Sequence, residues 1–149
     1  MANGWIPGYE IVNPAFKTHA DIYYTFGKAR KSAREYLAYG SLVDELRPLE
    51  PPPRQTFSWW RTEHRREAYT NDLPAVIGSV WRDAQDAKSA VVAVNISPDR
   101  QQIRFRTPTG RDDLSARAVP GQDAPSLSFS GGVATLTLAP RQIAILEQQ

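Results

Sequence analysis

Ser89-Ala90-Val91-Val92-Ala93-Val94-Asn95-Ile96 is a nearly continuous run of β-branched residues and alanine. Such a run is typical of a strand at the centre of a sheet or of a strand buried on both faces. Around it, residues 73–149 form short runs in which apolar and polar residues alternate between turns. When apolar and polar residues alternate, one face of each strand is apolar and can pack against a core. The pattern therefore predicts β-structure with residues 89–96 near its centre.

The predicted strands follow one another closely along the chain. They cover residues 56–61, 73–82, 89–96, 101–107, 114–119, 127–129, 133–138 and 142–146. The turns between them are too short for helical crossovers, so an antiparallel arrangement is expected. Ser130-Gly131-Gly132 predicts a hairpin because glycine accepts positive φ angles, and Ile103 and Phe105 are predicted to face the core. About seven or eight such strands predict a mainly β fold, an antiparallel, Greek-key-like β-sandwich.

The segment in front of the predicted sandwich has the period of a helix. Its apolar residues recur at spacings of three and four, which places them on one face; we name Ile22, Phe26, Ala29, Ala33 and Tyr36 the helix stripe. Asn13-Pro14 and Thr18 are competing helix starts. The helix is predicted to end near Tyr39 with Gly40 as a left-handed C-cap, and residues 41–46 are predicted to add a helical turn. Gly27 indicates close packing against a neighbour.

A proline-rich stretch, Arg47-Pro48-Leu49-Glu50-Pro51-Pro52-Pro53-Arg54, interrupts regular structure because proline has no backbone N–H to donate. We therefore predict three parts: a helical segment at 1–46, a linker at 47–55 and a C-terminal β-sandwich at 56–149. The helix stripe needs a cover, since burial of one large apolar side chain contributes about 1.5–3 kcal/mol. The expected cover is the sandwich, a separate domain or a second copy of the chain, and self-association is expected if no such partner is present.

Composition excludes several classes of function. The chain has 149 residues, a length that suits one domain with an appendage, and it has no cysteine, which excludes disulfides and thiolate metal sites. No apolar run approaches a membrane span and the N-terminus does not resemble a signal peptide, so a soluble chain is expected and the compartment stays open. Basic runs at 28–34 and 61–66 are interrupted or followed by glutamates, and a net charge of +2 does not predict nucleic-acid binding.

The sequence offers no catalytic constellation. His19 and His64 are far apart and lack the spacing of a metal-binding helix. No Gly-x-Ser-x-Gly nucleophile motif is present. Glu35, Asp44 and Glu45 are interpreted as solvated carboxylates. We therefore predict no catalytic residue, no metal and no cofactor in this chain.

Three tryptophans are the candidates for a contact surface. Trp59 and Trp60 are neighbours on a predicted strand, so their side chains should point to opposite faces. Trp81 lies on another strand, on the same face as Ile77 and Ser79. An exposed indole can pack against a neighbouring domain or stack on a sugar ring. The sequence favours the interface and leaves carbohydrate binding as the alternative.

Three stretches carry a resemblance to known proteins. They are Ala33-Arg34-Glu35-Tyr36-Leu37-Ala38-Tyr39-Gly40-Ser41-Leu42-Val43, the pair Val76-Ile77-Gly78-Ser79-Val80-Trp81-Arg82 and Ala90-Val91-Val92-Ala93-Val94-Asn95-Ile96-Ser97, and Leu138-Ala139-Pro140-Arg141-Gln142-Ile143-Ala144-Ile145-Leu146-Glu147. Together they resemble the last barrel helix and the all-β C-terminal domain of TIM-barrel glycoside-hydrolase-like proteins. The catalytic carboxylates of such enzymes lie on barrel strands, which this chain lacks.

That resemblance implies a non-catalytic C-terminal domain that packs against a catalytic barrel and stabilises it. The alternative is a free-standing carbohydrate-binding module that uses exposed tryptophans. The expected partners are thus the barrel domain or a second copy of the chain, and carbohydrate under the alternative. Neither nucleic acid nor a membrane is expected as a partner.

Overall fold

A computed structural model describes residues 17–62 and 65–149, with side chains described for 24–56 and 70–149. In this part of the chain two helices come first, α1 Lys17–Ser32 and α2 Arg34–Leu37. The strands follow in the order β1 Ser41–Glu45, β2 Arg54–Thr62, β3 Arg65–Pro74, β4 Val76–Arg82, β5 Ser89–Asn95, β6 Gln101–Arg106, β7 Leu114–Arg117, β8 Ser126–Ser130, β9 Val133–Leu138 and β10 Ile143–Gln148.

These strands form three antiparallel sheets. The largest has five strands in the order β1-β4-β5-β10-β7, the second has three in the order β6-β9-β8, and β2 and β3 pair with each other. The five-stranded and three-stranded sheets enclose one apolar core, built around Phe105, Leu136, Leu138 and Leu146. The prediction of a mainly β, antiparallel β-sandwich with a helical segment near its N-terminus is confirmed.

The second core lies on the other face of the five-stranded sheet, under the helices. Ala29, Ala33, Tyr36 and Leu37 are buried there against side chains of β4, β5 and β10. The fold therefore has three layers: helices, five-stranded sheet and three-stranded sheet. The structure covers the described part of the helix stripe from within the same chain.

The position of β5 explains its continuous apolar sequence. All seven residues of Ser89–Asn95 are buried, and β5 pairs with β4 on one side and with β10 on the other. Val91 and Ala93 face the three-stranded sheet, whereas Val92 and Val94 face the helices. Since both faces are covered, no polar alternation is needed. The prediction made for residues 89–96 is confirmed.

The hairpin between β8 and β9 is also as predicted. Ser130 is paired with Val133, and the two glycines between them have φ angles of 60° and 76°. Positive φ at both central residues matches the right-handed twist of the strands. Ile103 and Phe105 on β6 are buried, as their alternation predicts.

The end of the helical segment differs from the prediction. Helix α1 ends at Ser32, because Ala33 leaves helical geometry with φ −126° and ψ 41°. Gly40 does not have positive φ; a Cβ there would lie 2.5 Å from the carbonyl oxygen of Arg82, so the glycine permits a close approach of two backbones. The prediction for Gly27 is wrong, since no described atom lies within 4 Å of its Cβ position.

Residues 41–46 were predicted as a helical turn, and this is wrong. They contain β1, an edge strand of the five-stranded sheet, in which Leu42 is paired with Trp81 and Glu45 with Ser79. A bulge lies between Leu42 and Asp44. Pairing with β4 decides the conformation here, because a five-residue segment has no helical preference strong enough to outweigh a sheet edge.

The proline-rich stretch and its successor are more ordered than predicted. The backbone N–H of Leu49 donates to the carbonyl of Arg104 at 2.7 Å, so residues 47–55 are attached to β6. The predicted strand 73–82 is two strands divided at Ala75, and β3 occupies a stretch expected to be a charged loop or edge. Strand β2 agrees with the prediction for 56–61. Ten strands are described where about seven or eight were expected.

Candidate functional site

Arg117 on β7 lies at the centre of a cluster of charged side chains. Its Nη2 donates to Oε2 of Glu147 at 2.5 Å, and its Nη1 forms an ion pair with Glu35. It also donates to the carbonyl oxygen of Ser32 at the end of α1. All three side chains are between one-quarter and one-third exposed. Arg117 thus connects both helices to strands β7 and β10.

Tyr36 forms the floor of this cluster. Its ring is almost completely buried, and the Arg117 guanidinium carbon lies 6.0 Å from the ring centroid. Burial, together with the nearby carboxylates of Glu147 and Asp86, raises the pKa of Tyr36 from its ordinary 10.0 to about 12. Burial lowers the pKa of Arg117, but its hydrogen bonds and ion pairs with Glu147 and Glu35 outweigh this effect, so that pKa is raised.

The cluster opens into a surface pocket of about 370 Å³, lined also by Asp83, Asp86 and Lys88. Glycoside hydrolysis needs one carboxylate as nucleophile or general base and a second carboxyl group that donates a proton to the leaving group. Here Glu35 and Glu147 both accept from the same guanidinium, which is the geometry of a charge-assisted structural bridge. Among the described residues, no group of three or more histidines and carboxylates could hold a metal ion. The arrangement ties elements together.

A second feature is an exposed apolar surface at one sheet edge. Of the large apolar side chains that are exposed in the described part, most lie on or beside β1. We name this set the β1 surface: Tyr39 71%, Leu42 48%, Val43 50%, Leu49 43% and Ile77 39% exposed. Exposed apolar side chains gathered near one strand are typical of contact sites.

The outer face of the three-stranded sheet offers a contrast. The exposed side chains on its two outer strands are polar: Gln102, Arg104 and Arg106 on β6, and Ser126, Ser128 and Ser130 on β8. Such a face is stable in water without a partner. The two surfaces thus differ. The outer face of the three-stranded sheet exposes polar side chains, whereas the β1 surface exposes apolar side chains, whose contact with water is unfavourable.

Next to the β1 surface lies a groove of about 550 Å³ between β1 and the end of β6. Its apolar lining includes Leu46, Leu49, Val80 and Pro108. Its charged lining comprises three arginines, Arg47, Arg82 and Arg106, and two acids, Asp44 and Glu45. Asp44 and Arg47 are paired with each other at 3.1 Å.

The structure brings part of the helix stripe together with Trp81. Ala29, Ala33 and Tyr36 are buried in the same cluster as Trp81, and Phe26 packs against it with partial exposure. The side chain of Ile22 lies outside the described residues. The interface that these residues form is internal to the chain, between helices and sheet.

Trp81 does not present a ring to solvent. Its side chain is 6% exposed, and its Nε1 donates to Oγ of Ser79 at 2.8 Å. A sugar cannot stack on a ring in this position. The backbones of Trp59 and Trp60 lie in β2 opposite Tyr69 and Ala68, whereas their side chains are outside the described residues.

No sequence pattern pointed to Arg117, to Glu147 or to the role of Glu35. Glu35 was interpreted as a solvated carboxylate, and the structure places it in the Arg117 cluster. Arg117 and Glu147 are 30 residues apart in sequence and lie on different strands. No local spacing in the sequence therefore connects them. Of the other residues considered, His64 lies outside the described residues, as does the side chain of His19.

Comparisons with protein-family models, with curated proteins and with solved structures found no match. In the described part of the chain, neither helix combines the length and apolarity that crossing a bilayer requires. The fold and the geometry of its surfaces are therefore the basis for a functional proposal.

Proposed function

We propose that this chain is a non-catalytic accessory β-sandwich domain that packs against a neighbouring folded domain through the β1 surface. The observation that supports this most is the position of its exposed apolar side chains. Leu42 and Val43 lie on β1, at one edge of the five-stranded sheet, and Leu49 follows where the chain attaches to β6; each is more than two-fifths exposed. Covering them removes apolar area from water at about 25 cal/mol per Å².

The charged cluster supports a structural role. Arg117 holds Glu35 and Glu147 in ion pairs, so these carboxylates serve the attachment of α2 to β10. A rigid unit of helices and sheet is what a supporting domain needs, since an interface loses less entropy when its residues are already fixed.

The neighbour that the sequence resemblance suggests is the catalytic barrel of a glycoside-hydrolase-like protein. In this proposal the barrel supplies the chemistry and the sandwich stabilises it from one side. The alternative, a carbohydrate-binding module, has no support from Trp81, because that ring is buried.

The proposal is tested first on the purified chain. Incubation with a panel of aryl glycosides should give no turnover, and calorimetric titration with soluble oligosaccharides should give no heat of binding. Turnover that survives repurification would overturn the non-catalytic assignment, and specific sugar binding would favour the alternative.

The second test concerns the neighbour. The coding sequence on both sides of this segment is read, and the chain is expressed with and without the domain encoded there. Hydrogen exchange of β1 should slow when the neighbour is present, and L42S/V43S should abolish that protection. A matched control, S126A/S128A on the solvent face of β8, should leave it unchanged. The interface proposal fails if no neighbouring domain is encoded or if β1 exchange does not respond to it.

A further inference from the structure

We infer that the surface covering the β1 edge is acidic where it meets the groove, and that its carboxylates bind Arg82 and Arg106. This inference rests on the proposed function and names the chemistry of the partner. The expected occupant is a protein segment that combines apolar side chains with glutamate or aspartate.

Arg82 and Arg106 differ from the other arginines near them. Arg82 ends β4 and Arg106 ends β6, both are exposed, and both line the groove. Among residues with described side chains, neither has an ion-pair partner. By contrast, Arg47 pairs with Asp44, Arg54 with Asp72 and Arg104 with Glu50. The groove therefore retains two cations that the described residues do not neutralise.

The remaining charges of the groove do not compensate them. Asp44 accepts hydrogen bonds from Arg47 and from the backbone N–H of Glu45. Glu45 is paired in register with Ser79, and Ser79 lies on the opposite sheet face from Arg82, because side chains alternate along β4. With Asp44 paired to Arg47, the groove lining carries Arg82 and Arg106 against Glu45 alone and so has a net positive charge.

Association would enclose these cations next to an apolar centre. An arginine that loses water without gaining a carboxylate is strongly unfavourable, whereas one that gains a carboxylate can bind it through two parallel hydrogen bonds. Arginine beside an apolar centre is typical of protein interfaces. Any partner that covers Leu49 and Val43 must therefore offer negative charge to Arg82 and Arg106, which sets its orientation as well as its charge.

The experiment uses the chain itself and two synthetic probes. One is an acetylated, amidated pentapeptide of alternating glutamate and leucine, and the other replaces each glutamate with lysine. NMR titration should give saturable shifts of the Arg82 and Arg106 side-chain Nε–H signals with the acidic peptide only. The variant R82A/R106A should weaken binding by about tenfold or more, whereas R100A, in an exposed turn, should leave it unchanged. Raising the salt concentration should weaken binding to the wild-type chain.

Equal binding of both peptides would overturn the inference, as would an acidic peptide whose affinity R82A/R106A does not change, or no saturable shift at all. If the alanine variant fails to fold, R82Q/R106Q is the replacement, since glutamine retains much of the side chain without its charge. The two proposals fail separately. If L42S/V43S abolishes binding of the acidic peptide and R82A/R106A does not change it, the β1 interface is supported and the inference of an acidic partner is refuted.

Discussion

Arg117 and Glu147 lie on adjacent strands of the five-stranded sheet, and their side chains meet at 2.5 Å on the face that carries the helices. In the β7–β10 register Arg117 is paired with Ile145, so Glu147 is its diagonal neighbour. Because Arg117 also holds Glu35 and the last carbonyl of α1, this one side chain attaches the helical layer to the edge of the sheet.

We expect R117A to lower the free energy of unfolding by about 2–3 kcal/mol, because Glu35 and Glu147 then face each other without a cation. Urea denaturation followed by circular dichroism gives the difference. The control is R47A, which breaks a pair whose side chains are 80% and 53% exposed and should cost at most about 0.5 kcal/mol. Equal effects of the two substitutions would show that the Arg117 cluster does not hold the layers together.

Ionisation of Tyr36 should lower the free energy of unfolding at alkaline pH. Its pKa is about 12 in the folded chain and 10.0 as its ordinary value, so the folded state binds the phenolic proton more tightly than the unfolded state does. This stabilisation is fully present below pH 10 and is lost as the pH rises through about 12. We expect the stability of the wild-type chain to fall over this window by more than that of Y36F, in which the group is absent.

Absorbance at 295 nm measures the same ionisation directly. The phenolate signal of the wild-type chain should contain one late step near pH 12 that Y36F lacks. Y24F is the matched control, because Tyr24 is 67% exposed and its removal should leave the late step intact. A late step that persists in Y36F would refute the assignment.

The parts of the fold with a local cause were predictable from the sequence. Residues 89–96 have a pattern typical of a central or doubly covered strand, and β5 is buried along its whole length. Ser130-Gly131-Gly132 predicted a hairpin because glycine accepts positive φ, and both glycines have it. These features depend on neighbours in sequence, which is the range over which residue patterns carry information.

The remaining features depend on distant partners. Segment 41–46 became a strand because β4 lies beside it, and the position of β4 follows from the whole sandwich. Arg117 and Glu35 meet across 82 residues, and Glu35 alone is indistinguishable from a solvated helix residue. The burial of Trp81 likewise follows from where the helices pack, which its own strand cannot specify.

Asn95 should be the polar residue whose loss costs most stability. It is completely buried at the end of β5, and its Nδ2 donates to the carbonyls of Asp99 at 2.7 Å and Ala139 at 2.8 Å. Its Oδ1 accepts from both the backbone N–H and the hydroxyl of Ser97. N95A leaves the buried backbone N–H of Ser97 without its acceptor and removes one donor from each of the two carbonyls, so it should cost about 2–3 kcal/mol.

N95D separates hydrogen bonding from side-chain size. Aspartate retains the shape of asparagine but cannot donate to the two carbonyls when ionised, so it should destabilise the chain at neutral pH about as much as alanine does. Thermal and urea unfolding supply the values. Q102A, at an exposed position on β6, should change stability by less than about 0.5 kcal/mol. If N95D were as stable as the wild-type chain, the hydrogen bonds donated to Asp99 and Ala139 would not contribute to the stability of the fold.

Two glycines near the helices should respond in opposite directions to the same substitution. Gly27 lies inside α1 with no described atom within 4 Å of its Cβ position, so G27A should stabilise the chain by about 0.5–1 kcal/mol through helix propensity.

At Gly40 a methyl group would lie 2.5 Å from the Arg82 carbonyl oxygen and 2.7 Å from that of Tyr36. Both obstacles are backbone atoms, so G40A must separate α2 from the end of β4 and should cost about 1–3 kcal/mol. Urea denaturation of the two variants beside the wild-type chain decides the point: if G40A were as stable as wild type, the close approach of these two backbones would not exist in solution.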